Sequence, residues 1–559
     1  MTNAQIAEKL KWYADLSELH NINPFKIKTY ASASYRIDKI LEPLTGKTIT
    51  ELDKIDGVGK SLANKVYQLT TTGTFDDLAE LEKNTPIGVQ QLFAVKGIGP
   101  KKIAYIWNNL GIESPGELLY ACNENRLAQA KGFGVKTQDS VKQSIEFLFA
   151  NAHKFHYAKL EQLANELFDA LNEFDGITNL SLTGAIRRKC EVLDEVEYCA
   201  AILGDENDFA SYISDRFNPD ELAVNGTEIT FRFNQTIPIK IYSCSDDEFY
   251  NTLFETTASA AHMQKLKQQQ RLPNVVEATS EEDIYASVGL SYIEPEMREG
   301  FNEVALAHAN TLPHLIELSD LKGILHNHST YSDGLNTLEE MAVYAKQLGY
   351  EYLGICDHSK AAQYAGGLTG EEIEKQHREI DVLNIKLGPF KIFKGIECDI
   401  LGDGSLDYDE SVWKTFDFIV ASVHSNLKMT EEKAMSRLLR AIENPYTTIL
   451  GHPTGRLLLM REGYPVDHKK MIDACAANGV VIEINAHPYR LDLDWRHIDY
   501  ALNKGVKLSI NPDAHHTEGY HDMHFGVCVA RKGGLSKDMC FNALSLSEID
   551  SYFSQRKPK

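Results

Sequence analysis

The feature that most constrains the fold is a regular alternation of short apolar runs with helix-like segments from Leu321 onward. Repeated strand–helix alternation of this kind favours a parallel sheet within an α/β barrel-like domain. Because α/β barrels carry their sites where the strands end, the residues that follow each run are the first place to look for function. The apolar runs begin at Gly323, Tyr352, Phe416, Thr448, Val480 and Val506.

Residue types that bind metal ions follow these runs. His326 and His328 are two positions apart, so they share one face of a strand, and Asp333 follows in the loop. An isolated histidine is usually structural, but a whole set of such residues at strand ends indicates a metal site. Imidazole with carboxylate suits Zn, Mn or Fe, and a hydrolytic site benefits from bridging two or three ions. The candidate ligands are His326, His328, Asp333, His358, Glu397, His424, His452, Asp513 and His515.

Two arginines lie close to these residues in the sequence. Arg456 follows His452 in Gly-His-Pro-Thr-Gly-Arg, and Arg490 lies in Pro-Tyr-Arg-Leu-Asp-Leu. Both are candidates to bind a substrate phosphate through their guanidinium groups, and a plain ion pair is the alternative for each. We expect the remaining nearby histidines to be peripheral: His487, His516, His521 and His524.

Three turns in the first 150 residues resemble one another, because each has an apolar residue between two glycines and a helix-like segment after it. They lie at 55–60, 95–101 and 131–136. They resemble helix-hairpin-helix motifs, in which backbone N–H groups hold a DNA phosphate that only glycine lets approach. A structural turn is the alternative. The candidate DNA contacts are Gly57, Gly59, Lys60, Gly97, Gly99, Lys101 and Lys102.

Composition restricts the class of protein. A formal net charge of −23 counts against binding nucleic acid through one broad basic face. A metal site collects carboxylates, however, and local basic loops still bind phosphate. No apolar run reaches the roughly 18 residues of a membrane span, and the N-terminal segment lacks the layout of a signal peptide. Nine cysteines without a Cys-x-x-Cys pair are typical of a reducing cytoplasm, where we expect this protein to act.

The spacing of the nine candidate ligands over 321–559 resembles that of the PHP (polymerase and histidinol phosphatase) family, with no ligand position substituted. The resemblance implies a distorted (β/α)7 barrel and up to three divalent ions that hydrolyse phosphoesters, often with manganese. It also implies that a metal-bound hydroxide attacks phosphorus while the other ions neutralise charge. The residues expected to support this chemistry are His326, His328, Asp333 and Asp513.

The order of parts along the whole chain resembles the bacterial family X DNA polymerases that carry a C-terminal PHP domain. The segment 292–300 is similar to the connector of that family, and 183–188 with Glu191 resembles its Gly-Ser-x-Arg-Arg…Glu palm signature. The resemblance implies helical domains followed by an α+β palm and thumb. The expected domains are 1–75 (8-kDa-like, DNA-binding), 76–149 (fingers-like, helix-hairpin-helix), 150–245 (palm-like), 246–318 (thumb-like and connector) and 319–559 (PHP).

The palm departs from the family at the positions expected to hold metal ions and nucleotide. A two-metal site needs carboxylates that hold ions about 3.5–4 Å apart, and a misplacement of about 1 Å costs on the order of a hundredfold in rate. The aspartates that hold metal ions in the family fall on Glu195, Glu197 and Pro238. Each glutamate is one methylene group longer than aspartate, and proline offers no ligand at all. We therefore predict a decayed polymerase site. Its residues are Ala185, Arg187, Arg188, Glu195, Glu197 and Pro238, and the nucleotide-binding Thr-Gly-Ser falls on 257–259, which is Thr-Ala-Ser.

These observations predict a DNA-repair-type nuclease that removes nucleotides from 3′ ends, incises abasic sites or processes blocked 3′ ends. The expected partner is gapped, primed or abasic DNA, and we expect a monomer with no membrane contact. Three alternatives stay open: an active family X polymerase with a PHP exonuclease, a small-molecule phosphatase of the histidinol-phosphatase type, and a non-enzymatic DNA-binding scaffold. A deoxyribose-phosphate lyase in the first domain also stays open, with no lysine assigned.

Overall fold

The computed structural model describes residues 1–40, 42–55, 58–273 and 278–556. The chain divides into two compact units, Met1–Ala152 and His153–Lys559. Over the described ranges, no helix combines the length and the apolar character needed to cross a bilayer.

The first unit is helical. Thr2 caps its first helix by accepting a hydrogen bond from the Gln5 backbone N–H, and one face of that helix buries Ile6, Leu10 and Tyr13 in a core shared with the later helices. The helices are α1 (Asn3–Leu19), α2 (Pro24–Asp38), α3 (Ile49–Leu52), α4 (Lys60–Thr72), α5 (Asp76–Asn84), α6 (Ile87–Gln91), α7 (Pro100–Leu110), α8 (Pro115–Asn123), α9 (Arg126–Gln129) and α10 (Val135–Ala150).

The second unit begins with a mixed α/β region. Its main sheet has the strand order β2-β4-β7-β6-β5, in which β4 and β7 are parallel and the other pairs are antiparallel. The elements are β1 (Phe155–His156), α11 (Tyr157–Leu171), β2 (Ile177–Thr183), α12 (Gly184–Arg187), β3 (Val192–Leu193), β4 (Val196–Ile202), α13 (Glu206–Phe217), β5 (Asp220–Asn225), β6 (Glu228–Phe233) and β7 (Ile237–Cys244).

Short helices connect this region to the C-terminal domain. Arg298 lies in this connecting segment, where its side chain is fully buried and pairs with Glu281. A buried guanidinium needs such a partner, because an unpaired buried charge is strongly destabilising. The helices are α14 (Phe249–Thr257), α15 (Ala260–Gln268), α16 (Glu281–Ser287) and α17 (Glu303–Ala309).

The C-terminal domain is a nearly closed parallel barrel whose strands follow one another in sequence order from β8 to β14. A bridge between Asn327 and Ala514 joins the two ends of the sheet. Its elements are β8 (Gly323–Leu325), α18 (Leu338–Gln347), β9 (Tyr352–Ile355), α19 (Gly370–Leu387), β10 (Lys391–Asp399), α20 (Glu410–Trp413), β11 (Phe418–Ser422), α21 (Glu431–Ile442), β12 (Ile449–Leu450), α22 (His468–Asn478), β13 (Val481–Asn485), α23 (Ile498–Asn503), β14 (Leu508–Asn511), α24 (Met523–Lys532) and α25 (Leu546–Arg556).

The predicted fold class is confirmed: helical N-terminal domains, a mixed middle and a seven-stranded PHP-type barrel. The six apolar runs each contain a strand, and the strand that the alternation did not single out is β10. That strand begins with Lys391 and carries Lys394, so it is less uniformly apolar than its neighbours.

Candidate metal centre and nucleic-acid interface

The structure brings all nine predicted ligands together at the carboxyl ends of the barrel strands. Their donor atoms form three overlapping groups, within each of which the atoms lie no more than 4.8 Å apart. His452 joins them, because its Nε2 lies 3.0 Å from Glu397 Oε1. The groups are His328, Asp333, His358 and His515; His326, His328 and Asp513; and His358, Glu397 and His424.

Backbone strain marks three of these positions. The φ angles are +131° at His326, +20° at His452 and +53° at Asp513. Residues other than glycine rarely adopt positive φ angles. Such strain costs on the order of 1–3 kcal/mol per residue and clusters at functional sites, where surrounding structure holds it in place. At all three positions the strained backbone directs a buried side chain into the cluster.

Three polar residues that were not predicted orient the cluster. Glu483 accepts a hydrogen bond from the His452 backbone N–H at 2.7 Å and lies 2.6 Å from His326 Nδ1, which leaves His326 Nε2 facing the other ligands. Asp399 lies 3.0 Å from His424 Nδ1, and Asn485 donates to Asp513 Oδ2 at 3.1 Å. Carboxylates that fix ligand imidazoles in this way tune metal sites.

The sequence held a signal for two of these residues. Glu483 is a carboxylate between Ile482 and Ile484 of strand β13, and Asp399 shares a strand face with Glu397, two positions before it. A fully buried acid in a core strand requires a partner.

The electrostatics of the cluster are those of a site built for cations. Burial lowers the pKa of His424, but the Glu397 and Asp399 carboxylates outweigh burial and raise it to about 10. Burial acts against ionisation of Glu397, yet the His424, His326 and His358 imidazoles hold its pKa well below the usual range. The imidazoles and carboxylates of the cluster therefore stabilise one another's charged forms.

Several buried nitrogen and oxygen atoms that could bind a metal ion have no hydrogen-bond partner among the described residues. Buried polar atoms are normally satisfied, so unsatisfied nitrogen and oxygen atoms that converge on one point fit divalent metal ions. The atoms are His326 Nε2, His328 Nδ1, His358 Nδ1, Glu397 Oε2 and His452 Nδ1.

The two candidate phosphate-binding arginines differ. The Arg456 guanidinium pairs with Asp494 and donates to the carbonyls of Arg490 and Leu491, so it fixes the loop after β13. These contacts engage three of its five N–H donors and match the ion-pair alternative, so phosphate binding by Arg456 stays an untested prediction. Arg490 Nε lies 3.7 Å from Asp513 Oδ2 and remains a candidate at the edge of the cluster.

The four histidines expected to be peripheral make other contacts. His524 Nε2 lies 2.7 Å from Glu161, and His521 Nε2 lies 2.9 Å from the Tyr344 hydroxyl. His487 and His516 accept hydrogen bonds from nearby backbone N–H groups of Tyr489 and Gly519.

The glycine turns of the first unit lead into helices as predicted. Gly59, Gly99 and Gly134 are the N-caps of α4, α7 and α10, and no side chain caps these helices within the described ranges. Their first-turn N–H groups therefore remain available for an anion. Gly97 has a φ of +92°, which requires glycine. Gly57 lies outside the described residues.

The lysines beside these turns are not equivalent. Lys60 is exposed, and the Lys101 side chain is 84% exposed although its ammonium lies 3.7 Å from Glu18. Lys102 donates to the Gly97 carbonyl at 3.4 Å and lies over the Phe133 ring, so it supports the turn.

In the palm-like region, the Glu197 carboxylate accepts hydrogen bonds from two groups of the protein. Its Oε2 accepts a hydrogen bond from the Ala185 backbone N–H at 3.1 Å, and its Oε1 accepts one from the Tyr242 hydroxyl at 3.3 Å. A Cβ at Gly184 would lie 1.6 Å from Glu197 Oε2, so the carboxylate packs onto the signature turn. Both carboxylate oxygens are satisfied within the protein.

A lysine that sequence reasoning missed lies beside the altered acids. Lys240 on β7 is the register partner of Glu197 on β4, and its Nζ lies 3.2 Å from Glu228. Burial and Glu197 raise the pKa of Glu195, and Lys240 partly offsets that rise. Pro238 lies two residues before Lys240 and pairs with Arg232 on β6.

The signature arginines are engaged in ion pairs. Arg187 makes a bidentate pair with Glu281 at 2.6 and 3.1 Å, and Arg188 Nε donates to Glu299 at 3.0 Å. Lys532 of α24 also pairs with Glu299. These contacts tie the palm-like region to the connector and to the barrel.

Comparison with known protein families finds separate matches in the helical first unit and in the barrel. Residues 1–75 match a helix-hairpin-helix domain, 89–146 match a SAM-like helix-hairpin-helix tandem, and 325–487 match the PHP domain. The DNA polymerase/3′-5′ exonuclease PolX of Bacillus subtilis is 31% identical over 582 aligned positions, which cover 99% of this chain and 100% of the relative.

Two further relatives match only part of the chain. A probable phosphatase of a Thermoanaerobacter species is 27% identical over 43% of this chain and 98% of its own length. A probable phosphatase of Acetivibrio thermocellus is 29% identical over 34% of this chain and 78% of its own length.

The barrel and its buried donor set define a metal-dependent hydrolase of the PHP class. The match over the full length goes further: the chain belongs to the bacterial family X DNA polymerases that carry helix-hairpin-helix domains and a C-terminal PHP domain.

Proposed function

We propose that this protein is a DNA-repair-type nuclease that acts at 3′ ends or abasic sites, and that its palm no longer synthesises DNA. The observation that carries the proposal is the cage of nine buried or half-buried ligand residues with unsatisfied donor atoms. It is combined with helix N-termini that are open to phosphate in the first unit.

The nine residues, His326, His328, Asp333, His358, Glu397, His424, His452, Asp513 and His515, are the proposed ligands of up to three divalent ions, Mn, Zn or Fe. Bound ions supply Lewis acidity and charge neutralisation for attack of water on phosphorus. The protein's own part is orientation: Glu483 and Asp399 fix imidazoles, and Arg490 is the proposed phosphate clamp.

DNA is the proposed substrate because the chain keeps the helix-hairpin-helix turns as well as the barrel. Backbone N–H groups at Gly59 and Gly99, with Lys60 and Lys101, are suited to hold phosphates without reading bases. Gapped, primed or abasic DNA, bound by a monomer in the cytoplasm, is the form of substrate that we propose. Free cysteines throughout the chain support this location.

The loss of synthesis is supported by the internal contacts of the palm. Glu197 is hydrogen-bonded to the signature turn, Lys240 brings a positive charge opposite it, and Arg187 is committed to Glu281. A triphosphate and two cations would have to displace each of these contacts.

A second candidate function is an active polymerase with a PHP exonuclease, because the full-length relative from Bacillus subtilis bears both names. A small-molecule phosphatase is less well supported, since the two phosphatase relatives match 43% and 34% of this chain, whereas helix-hairpin-helix domains are also present.

The test uses purified full-length protein with Mn²⁺ and 5′-labelled gapped or abasic DNA. We expect cleavage that EDTA and Asp513→Ala abolish, while His308→Ala, which changes an exposed histidine outside the cluster, keeps the unaltered rate. Equal activity of Asp513→Ala and His308→Ala would overturn the assignment of the nuclease to the barrel.

A further inference from the structure

The loop that follows His358 is fixed at its base and presents an aromatic ring at its tip. Ser359 N–H donates to the Glu397 carbonyl at 3.0 Å, and Leu368 N–H donates to the His358 carbonyl at 2.9 Å. A Cβ at Gly367 would lie 1.9 Å from the Ser359 carbonyl oxygen, so glycine is required where the two ends of the loop meet.

The sides of this loop are also held. The Lys360 N–H donates to the Tyr408 hydroxyl at 2.9 Å, and the Ala361 N–H donates to Asp407 at 2.7 Å. At the tip, a short 3-10 helix (Gln363–Ala365) buries Ala365, with Ala362 buried just before it, and leaves Tyr364 73% exposed. The loop therefore uses its small residues for packing and directs its one large ring outward.

The position of the ring matters more than its exposure, because single exposed rings are common on protein surfaces. The Tyr364 ring centroid lies 6.1 Å from that of His358. His358 belongs to the metal cluster, and its carbonyl anchors the end of this loop at Leu368. The exposed Tyr364 ring therefore lies at the edge of that cluster.

We propose that Tyr364 is a specificity-determining residue that stacks on an unpaired nucleobase next to the phosphodiester bound at the cluster. The inference rests on the proposed nuclease function and names the part of the substrate that the barrel recognises. Arg490 binds the phosphate, and Tyr364 contacts the base of the nucleotide that carries this phosphate.

Stacking of this kind depends on the π-face that every base has, so it tolerates any sequence but requires a base free of its pairing partner. Single-stranded, frayed or mismatched 3′ ends are therefore favoured over paired ones. A terminal residue that lacks a base gains nothing from the ring.

The test compares two labelled single-stranded oligonucleotides that differ only at the 3′-terminal residue, which carries a base in one and is a tetrahydrofuran abasic residue in the other. With Mn²⁺, Tyr364→Ala is expected to lower kcat/KM on the base-bearing end by about tenfold to a hundredfold, mainly through KM. Tyr364→Phe keeps the rate, because it keeps the ring. Ile385→Ala, which removes an 87% exposed apolar side chain elsewhere on the barrel, is the matched control.

A binding readout that needs no metal accompanies the kinetics. In EDTA, a 3′-terminal 2-aminopurine should be quenched by the unaltered protein and by Tyr364→Phe, and should stay bright with Tyr364→Ala. The inference is overturned if Tyr364→Ala keeps its rate on the base-bearing end, if it slows both ends equally, or if Tyr364→Phe is as slow as Tyr364→Ala. Absence of cleavage of both oligonucleotides by the unaltered protein would overturn this inference, and if gapped and abasic DNA also stay intact, the proposed function is overturned with it.

Discussion

The barrel and the palm-like region both place carboxylates at the ends of parallel strands, and they differ in how those carboxylates are satisfied. Around Glu397, buried donor atoms stay without partners within the described residues, and histidines surround the acid. Around Glu197, the Ala185 backbone N–H and the Tyr242 hydroxyl each donate to one carboxylate oxygen, and Lys240 is the register partner on the neighbouring strand. The comparison teaches that the barrel leaves ligand atoms open to ions, whereas the palm-like region satisfies Glu197 from within the protein.

The largest expected difference between the two regions is in synthesis. In an Asp513→Ala background, which removes degradation, a gapped primer should stay unextended with all four nucleotides and either Mg²⁺ or Mn²⁺. The reason is that Glu197, Lys240 and Arg187 are engaged with protein partners. Gel analysis of the labelled primer checks this, and template-directed extension would show that both glutamates are ligands after all.

The next effect concerns the residues that orient the barrel ligands. Glu483→Gln should lower manganese affinity and nuclease activity by about 10- to 100-fold, because it weakens the contact with His326 Nδ1. Metal content measured after dialysis and activity titrated with Mn²⁺ provide the readouts. Glu548→Gln, a change at an exposed acid on α25, is the control, and equal metal content in both variants would contradict the assigned role.

A smaller effect separates the two arginines. Arg490→Ala should raise KM for DNA by roughly tenfold, since a hydrogen bond to a charged group contributes about 1.5–3 kcal/mol. Arg456→Ala should instead lower the melting temperature, because Asp494 and two loop carbonyls lose their donor. Steady-state kinetics and thermal unfolding of both variants distinguish them, and an Arg456 variant with unchanged stability but raised KM would reverse the assignment.

The smallest effect is on DNA binding by the first unit. Gly59→Val and Gly99→Val should weaken the affinity for DNA several-fold for all sequences. Each should also lower the slope of log affinity against log salt concentration by the amount that corresponds to about one phosphate contact. Both positions have negative φ, and a Cβ there meets nothing within 4 Å, so the fold should persist.

Anisotropy titrations at several salt concentrations measure this effect. Gly370→Val, which is equally open but lies in the barrel, serves as the control. Unchanged binding by Gly59→Val and Gly99→Val would show that the turns are structural.

Local patterns carried most of the fold and of the candidate site. The apolar runs contain six of the seven barrel strands, and the residues that follow them, such as His328 and His358, meet in space because parallel strands end at one edge. Helix N-caps at Gly59 and Gly99 likewise follow from short-range chemistry.

Contacts between segments that are distant in the sequence could not be predicted in the same way. Lys240 lies opposite Glu197 only because β7 pairs with β4 in one particular register. Arg456 is committed to Asp494 because the loop after β13 folds back over it. Sequence spacing specifies which residues share a strand face, but it does not specify which of two neighbouring strands supplies a partner.

Lys240 also has a consequence for how the palm changes over generations. Its ammonium is covalently attached, so no chelator removes it and no other ion replaces it. A single return step, such as Glu197→Asp, leaves that fixed charge beside a turn that has lost its acceptor. Under the proposed loss of synthesis, recovery therefore requires replacement of Lys240 as well as of the acids.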